Sequence, residues 1–419
     1  MPTHKPLTRT APLLGAALLL GACGQAPEPE TTAPPGAADT EAMTADATDP
    51  RCAPGSEELL LHVPSPDWGE QVVYMMFIDR FNDGDPSNND FGQGEYDPTS
   101  PSHFNGGDLQ GIIDQLDYIQ GLGATAIWIS PPVRNQWWST PYSAAGWHGY
   151  WAQHFREIDP HFGTMDDYRR LSHELHCRGM VLVQDIVINH VGNYYAYDGA
   201  WNPDDPTENF TLLEEGLTEP TAPTQPPFDL IDPRIPEHRE ADIYHWTPQV
   251  TDYEDPYQLN YFGFGYLADV NTENPVVLEA FKDSYAHWIR EIGVDGYRID
   301  TVQYVQQPFW HHFLHDENGV YPVAAETGRD FFITFGETMM ASDPFQTEGE
   351  DRNRHFMEFE GLPGLNSMLG FPLYFSQRRV LSEGQPASQL AFRLEQHMTA
   401  YPDPRVIPTF IDNHDTARF

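Results

Sequence analysis

Gly296-Tyr297-Arg298-Ile299-Asp300 is a short run of strand-forming character, with a guanidinium inside it and a carboxyl at its end. It fits a buried strand whose last residue leaves the core. Side chains alternate along a strand, so Arg298 and Asp300 share a face. A neighbouring guanidinium keeps a carboxylate ionised, which suits Asp300 to nucleophilic attack. Upstream lies an amphipathic stretch, 276–292; downstream a second apolar run, Phe332–Gly336, is closed by Glu337. A carboxyl after an apolar run has the surroundings that raise a pKa, as an acid/base group needs.

The same rhythm runs along the chain from about residue 70. Apolar segments at 72–77, 126–130, 180–187, 296–300, 332–336 and 406–411, with a weaker one at 367–373, alternate with amphipathic stretches such as 109–122, 165–178 and 276–292. This alternation points to parallel β/α units, and the expected fold is an α/β (β/α)₈ TIM barrel. Asp185, Asp300, Glu337 and Asp412 stand at strand ends, where such a barrel carries its chemistry. Residues 191–265 break the rhythm. Rich in Pro, Asp, Tyr and Trp, they read as an inserted irregular subdomain after strand three, dividing the barrel into 56–190 and 266–419. Seven strands are one short of closure, and an open edge would expose backbone and apolar surface. The chain is therefore read as stopping before strand eight.

The formal net charge is −41, from 22 Lys plus Arg against 63 Asp plus Glu. Phosphate backbones need a basic surface, so nucleic acid is excluded as a partner. Such acidity signals solubility or a salt-adapted host, and says nothing of substrate charge. At the N-terminus His4, Lys5 and Arg9 precede the apolar run 11–20 and then Leu20-Gly21-Ala22-Cys23. Residues 1–23 resemble a bacterial lipoprotein signal peptide, whose cleavage leaves Cys23 lipidated; an ordinary secretory signal with a chance cysteine is the alternative. The expected location is extracytoplasmic, at a bacterial periplasm or cell surface. A lipid anchor is then the sole membrane contact, because no later segment approaches spanning length. Residues 24–55 have almost no large apolar side chains and read as a flexible tether. An oxidising compartment permits a bond between Cys52 and Cys177, but the sequence alone predicts none.

Four stretches, in this order, resemble motifs of the α-amylase family of retaining glycoside hydrolases: Asp185-Ile186-Val187-Ile188-Asn189-His190, Gly296–Asp300, Gly336-Glu337, and Phe410-Ile411-Asp412-Asn413-His414-Asp415. His148-Gly149-Tyr150-Trp151 and Leu267-Ala268-Asp269-Val270-Asn271 support them. The resemblance implies Asp300 as the nucleophile that forms a glycosyl-enzyme, Glu337 as acid/base, and Asp415 as a third carboxylate on sugar hydroxyls. It implies His190 and His414 as imidazoles on the cleaved sugar, Tyr150 as the platform beneath it with His148 close by, and Arg298 beside the nucleophile. Asp185 falls with the substrate-binding groups by its motif, and reads foremost as a structural partner of Arg298. Trp137, Trp138 and Trp147 fit outer sugar subsites or simple packing equally. A retaining pair needs carboxyls about 5–5.5 Å apart. The family's usual C-terminal β-domain, like strand eight, is read as missing from 1–419. One stretch departs from the pattern: Thr301-Val302-Gln303-Tyr304 stands where many endo-acting amylases have a Lys-His pair facing the leaving-group sugars.

The resemblance also implies calcium at one or two structural sites, each needing six to eight oxygens. Asp83, Asp85, Asn88, Asn89, the Gly106 carbonyl and Asp108 are similar to the N-terminal calcium loop of cyclodextrin-forming members. A metal-free loop of Asx turns is the alternative, and no Glu closes the loop as an EF-hand requires. Asn189 and Asp269 are similar to a second set bridging barrel and insertion, with Tyr304 lending a carbonyl. The expected activity is retaining hydrolysis of α-glucosidic, mainly α-1,4, bonds in starch, glycogen or maltooligosaccharides. An α-glucan transglycosylase using the same intermediate is the close alternative. A non-catalytic glycan-binding surface lipoprotein is remote, and an ancillary subunit of a transporter would need a transmembrane anchor.

Overall fold

Val181-Leu182-Val183-Gln184-Asp185-Ile186 is buried at every position, as a strand with parallel neighbours and helices over it must be. It is the third strand of a six-stranded parallel sheet in the computed structural model, which describes residues 49–416. The strands are β1 (Val73–Met76), β2 (Ala126–Ile129), β3 (Val181–Ile186), β4 (Gly296–Ile299), β5 (Ile333–Gly336) and β6 (Ser367–Met368). Each pairs with its neighbours in chain order, the winding expected of successive β/α units. Period-two alternation sorts the side chains. Ala126, Trp128, Val181, Val183, Ile333 and Phe335 cluster on one face. Ile127, Ile129, Leu182, Tyr297 and Ile299 pack on the other, with the helices.

The helix Met165–Cys177 opens on a capping box, Thr164 with Asp167, and buries Tyr168, Leu171 and Leu175. The helix Pro275–Glu291 starts on an Asn274 cap with proline at its first position. The expected helix over 109–122 is two short ones, Leu109–Asp114 and Leu116–Gly121, parted at Gln115. The insertion closes on itself where His190–Val191 pairs antiparallel with Ala268–Asp269. It holds a hairpin, Tyr195–Tyr197 with Phe210–Leu212, and two short helices, Pro236–Ala241 and Pro256–Tyr261.

Two strand expectations need correction. Only Ser367–Met368 of 367–373 is strand, because Gly370 and Pro372 start the helix Phe371–Gln377. Residues 406–411 form no ladder. Pro404–Val406 is a 3₁₀ turn capped by Asp403, and Pro408 has no N–H to give. The segment still lies beside β6, since the Gly370 N–H donates to the Pro408 carbonyl at 3.0 Å. A cavity of about 680 Å³, lined by Tyr74, Met76 and Phe410 among others, separates it from β1.

The signal-peptide residues, Cys23 and the tether over 24–48 lie outside the described residues. At 49–55 the tether expectation is corrected: Pro50–Cys52 is a 3₁₀ turn capped by Asp49, and Cys52 is disulfide-bonded to Cys177, Cα–Cα 5.5 Å. The bond spans 125 residues, a proximity that only the folded chain creates. Among the described residues no helix is long and apolar enough to cross a membrane.

Candidate active site

Three strands deliver the central residues. In register, Arg298 faces Asp185 and Ile299 faces Gly336, so Asp300 and Glu337 end adjacent strands side by side. Asp300 N–H donates to the Ile186 carbonyl at 2.9 Å and Glu337 N–H to the Ile299 carbonyl at 3.0 Å, fixing both backbones. Beyond Asp300 the chain turns sharply: Thr301 has φ 47°, rare for a β-branched residue, and its N–H reaches Glu337 Oε2 at 3.4 Å. Gly336 is favoured by crowding, for a Cβ there would sit 2.7 Å from both Leu365 and Val302 side-chain carbons, which would have to shift. Gly149, at φ +91°, lets the chain turn between His148 and Tyr150 where a Cβ would meet the Pro131 carbonyl at 2.2 Å.

One fully buried guanidinium organises the carboxyls. Arg298 Nη1 donates to Asp185 Oδ1 and Oδ2 at 2.9 and 3.1 Å and to Asp300 Oδ1 at 2.7 Å. Its Nη2 forms an ion pair with Glu337 Oε2 at 2.9 Å. Asp185 also accepts from Trp128 Nε1 at 3.1 Å and Tyr150 Oη at 2.8 Å. Its oxygens are taken up inside the protein by Arg298, Trp128 and Tyr150, which makes it a scaffold for these three.

The electrostatics separate the acids. Burial, reinforced by the charges of Asp300 and Asp415 and opposed by Arg298, raises Glu337 to about 8. Asp415 is lowered: burial opposes its charge, but the hydrogen bond and charge of His414 and the charge of Arg298 prevail. His414 Nε2 lies 2.9 Å from Asp415 Oδ2 and 3.4 Å from Tyr150 Oη. Burial lowers His190, and lowers His148 to about 3 with the help of His190 and Arg80, so both rings are neutral near pH 7. His148 Nδ1 accepts the Tyr150 N–H at 3.0 Å. His190 Nε2 and His414 Nδ1 are buried without a protein partner, positions that suit the hydroxyls of a bound ligand. The site thus offers a protonated acid, a carboxylate held on a guanidinium, and hydrogen-bonding groups around them.

The sequence model of the alpha-amylase catalytic domain matches residues 75–419. The chain belongs to the α-amylase family. It is 32% identical over 357 residues to a cyclomaltodextrin glucanotransferase of Klebsiella oxytoca, covering 84% of this chain and 50% of that protein. It is 31% identical over 359 residues to an alpha-amylase of Streptomyces lividans, covering 77% and 36% respectively. A solved Anoxybacillus alpha-amylase is similar with TM-score 0.62 at 29% identity, covering 84% of this chain and 63% of that one. The cyclomaltodextrin glucanotransferase CldA gives TM-score 0.66 at 28% identity, covering 83% and 65%. The chain spans half or less of the length of these two curated relatives. The parallel sheet is that of the family's TIM barrel.

Family motifs pointed to most of this centre but not to Trp128, Thr301 or Arg80. Trp128 had a usable signal, since it alternates with Ile127 and Ile129 at the end of β2. The Thr301 contribution is a backbone N–H, invisible in a residue type. Arg80 stacks on Trp147 at 3.7 Å, which gives that tryptophan a packing role. Trp137 packs against Phe91 and His161, and Trp138 against His103.

The first oxygen-rich set is brought together. Asn89 Nδ2 donates to Asp83 Oδ2 at 2.7 Å, and Gly106 leaves room for the Asn89 amide, which a Cβ would meet at 2.7–2.9 Å. Asp108 is largely occupied: it accepts N–H groups of Gly84, Asp85 and Gly111 and caps the helix Leu109–Asp114. Asn88 Oδ1 and Asn89 Oδ1 are buried and unpartnered, and Asp85 Oδ1 accepts from Ser87. In the second set Asp269 sits on the paired strands at the base of the insertion and Asn189 just before them, where the Val270 N–H donates to the Asn189 carbonyl. Asp269 Oδ2 is, however, held by His245 Nδ1 at 2.5 Å, and Asn189 Nδ2 contacts His190 Nδ1 at 3.3 Å. The Tyr304 ring packs on Phe264. Among the described residues no three His, Cys, Asp or Glu side chains converge as a metal cluster.

Proposed function

We propose that this chain carries the catalytic centre of a retaining enzyme that cleaves α-glucosidic, mainly α-1,4, bonds in starch, glycogen or maltooligosaccharides. The observation that carries the reading is the pairing of Asp300 and Glu337 on Arg298 with Glu337 raised to about 8. Asp300 attacks the anomeric carbon as the bond from that carbon to the leaving oxygen breaks, and the oxygen takes the proton of Glu337. Glu337, now a carboxylate, removes a proton from water, whose oxygen displaces Asp300 and restores both groups. Asp415, His190 and His414 bind hydroxyls of the sugar at the cleaved bond, and Tyr150 lies beneath its ring. The test is a product profile on soluble starch and maltoheptaose beside Glu337→Gln. Short products of retained anomeric configuration, lost in the variant, are expected; unchanged turnover by the variant overturns the assignment. Transfer to a second sugar uses the same intermediate, and a relative named as a cyclomaltodextrin glucanotransferase favours that second reading; cyclic or elongated products would establish it.

Calcium binding fits the first oxygen set. Asp83, Asn88, Asn89 and the Gly106 carbonyl would hold the ion, with Asp85 and Asp108 shaping the loop. Buried, unpartnered amide oxygens are what a hard cation takes up. Asn189, Asp269 and the Tyr304 carbonyl fit less well while His245 holds Asp269. Chelation is expected to lower the melting temperature, and added calcium to restore it, in the parent but not in Asn89→Ala. The location proposed is extracytoplasmic and lipid-anchored through Cys23. The Cys52–Cys177 bond supports an oxidising compartment. Loss of membrane-fraction recovery in Cys23→Ala tests the anchor.

A further inference from the structure

A cavity of about 360 Å³, lined mainly by residues of 191–265 and closed by Pro141, Tyr266 and Leu267, shares no residue with the catalytic centre. It is walled by Tyr195, Tyr197, Trp201 and Tyr266, with Asn193 and Gln249 among its polar members. The polar ends of three of these rings are already used. Tyr195 Oη donates to the Thr247 carbonyl at 2.8 Å, Tyr197 Oη to the Trp246 carbonyl at 2.5 Å, and Trp201 Nε1 to that same carbonyl at 3.1 Å. The rings are therefore fixed, and what they offer the cavity is carbon surface. Trp246 itself holds φ 45°, a left-handed conformation uncommon for a bulky residue, so two side chains converge on a strained carbonyl. Strain held in place by packed side chains is characteristic of sites that bind.

Asn193 is 3% exposed; its Nδ2 donates to the Tyr266 carbonyl, and its Oδ1 has no partner within the protein. No lining residue carries a charge, in a chain of net charge −41. Ionic ligands are therefore poorly served, and the volume lies at the small end of ligand pockets. Immobilised aromatic carbon beside amide groups matches a pyranose ring, which presents C–H faces and hydroxyl donors on one small body.

We propose that this cavity is a second binding pocket for a glucosyl unit of an α-glucan, engaged apart from the bond being cleaved. The ligand class rests on the function proposed above. The test is hydrogen–deuterium exchange on the full chain carrying Glu337→Gln, with and without maltoheptaose. Exchange slowed several-fold over 193–201 and 245–249, as well as over the catalytic strands, is expected. Adding Trp201→Ala is expected to abolish the first effect and keep the second, while Trp201→Phe keeps both. Protection at the catalytic strands without protection over 193–201 overturns the pocket and leaves the function standing. Protection at neither overturns both. The unsubstituted pocket is read in the Glu337→Gln chain, so the test holds even if Trp201→Ala fails to fold.

Discussion

Asp300 and Glu337 differ less in position than in surroundings: both touch Arg298, but burial and two neighbouring carboxylates make Glu337 the group that keeps a proton. General acid/base groups contribute about 10²–10⁴-fold to rate. Glu337→Gln is expected to lower kcat by that order, with circular dichroism unchanged. The acid must be protonated to act, so activity is present below the raised value of about 8 and is lost as pH rises through it. A pH profile of kcat/KM with an alkaline limb near 8 supports the assignment; a limb near the ordinary carboxyl value sinks it. The acids and Arg298 were legible because chemistry restricts which residue types can stand at a strand end. The Thr301 N–H was not, because a backbone donor has no letter of its own; Trp128 was passed over despite its alternation in β2, because an aromatic residue in a strand is ordinary.

At the scale of elements, two tertiary links deserve tests. The Cys52–Cys177 bond closes a long loop between the start of the described chain and the end of the helix Met165–Cys177. Removing a native disulfide costs about 2–5 kcal/mol. Cys52→Ser is expected to shift chemical denaturation by that amount, and a reductant to shift the parent but not the variant. His161, buried between Asp159 at 2.8 Å and Glu95 at 3.5 Å and stacked on Phe104, pins the loop around 91–95. Burial opposes its charge, but the two carboxylates prevail and raise it to about 9. A raised histidine contributes stability fully below its ordinary value of about 6.5, lost as pH rises through 9. Melting temperatures between pH 6 and 10 should fall along that course, and His161→Phe should flatten the dependence. Elements with strong periodicity, β1 to β5 and the helices at 165–177 and 275–291, were readable. The segments at 367–373 and 406–411 misled because an apolar run shows a capacity for burial, while Pro372, Pro404 and Pro408 decide whether a ladder forms.

For the whole molecule, the excess of 63 acidic over 22 basic residues sets a self-repulsion that salt relieves. Raising ionic strength from about 0.01 to 1 M shortens the screening length from about 30 to 3 Å. The melting temperature is expected to climb over that range, and a flat response would show that the acidic surface is already neutralised by bound ions. The barrel class could be argued from alternation alone, because β/α repetition is a property of the entire chain. The Cys52–Cys177 contact could not, since proximity across a fold has no local signature.

Arg298 stands alone among several acids, and the consequence reaches past the protein. Beside Glu337, which keeps its proton, the three carboxyls of Asp185, Asp300 and Asp415 surround one guanidinium, so among the described residues the centre has more acidic than basic groups. Under the proposed function, a sugar approaching the oxocarbenium ion would bring a positive charge into this setting as the bond breaks. A ring-shaped amine that carries its positive charge permanently would meet the same carboxyls without reacting, and so should be held more tightly than the neutral sugar it imitates.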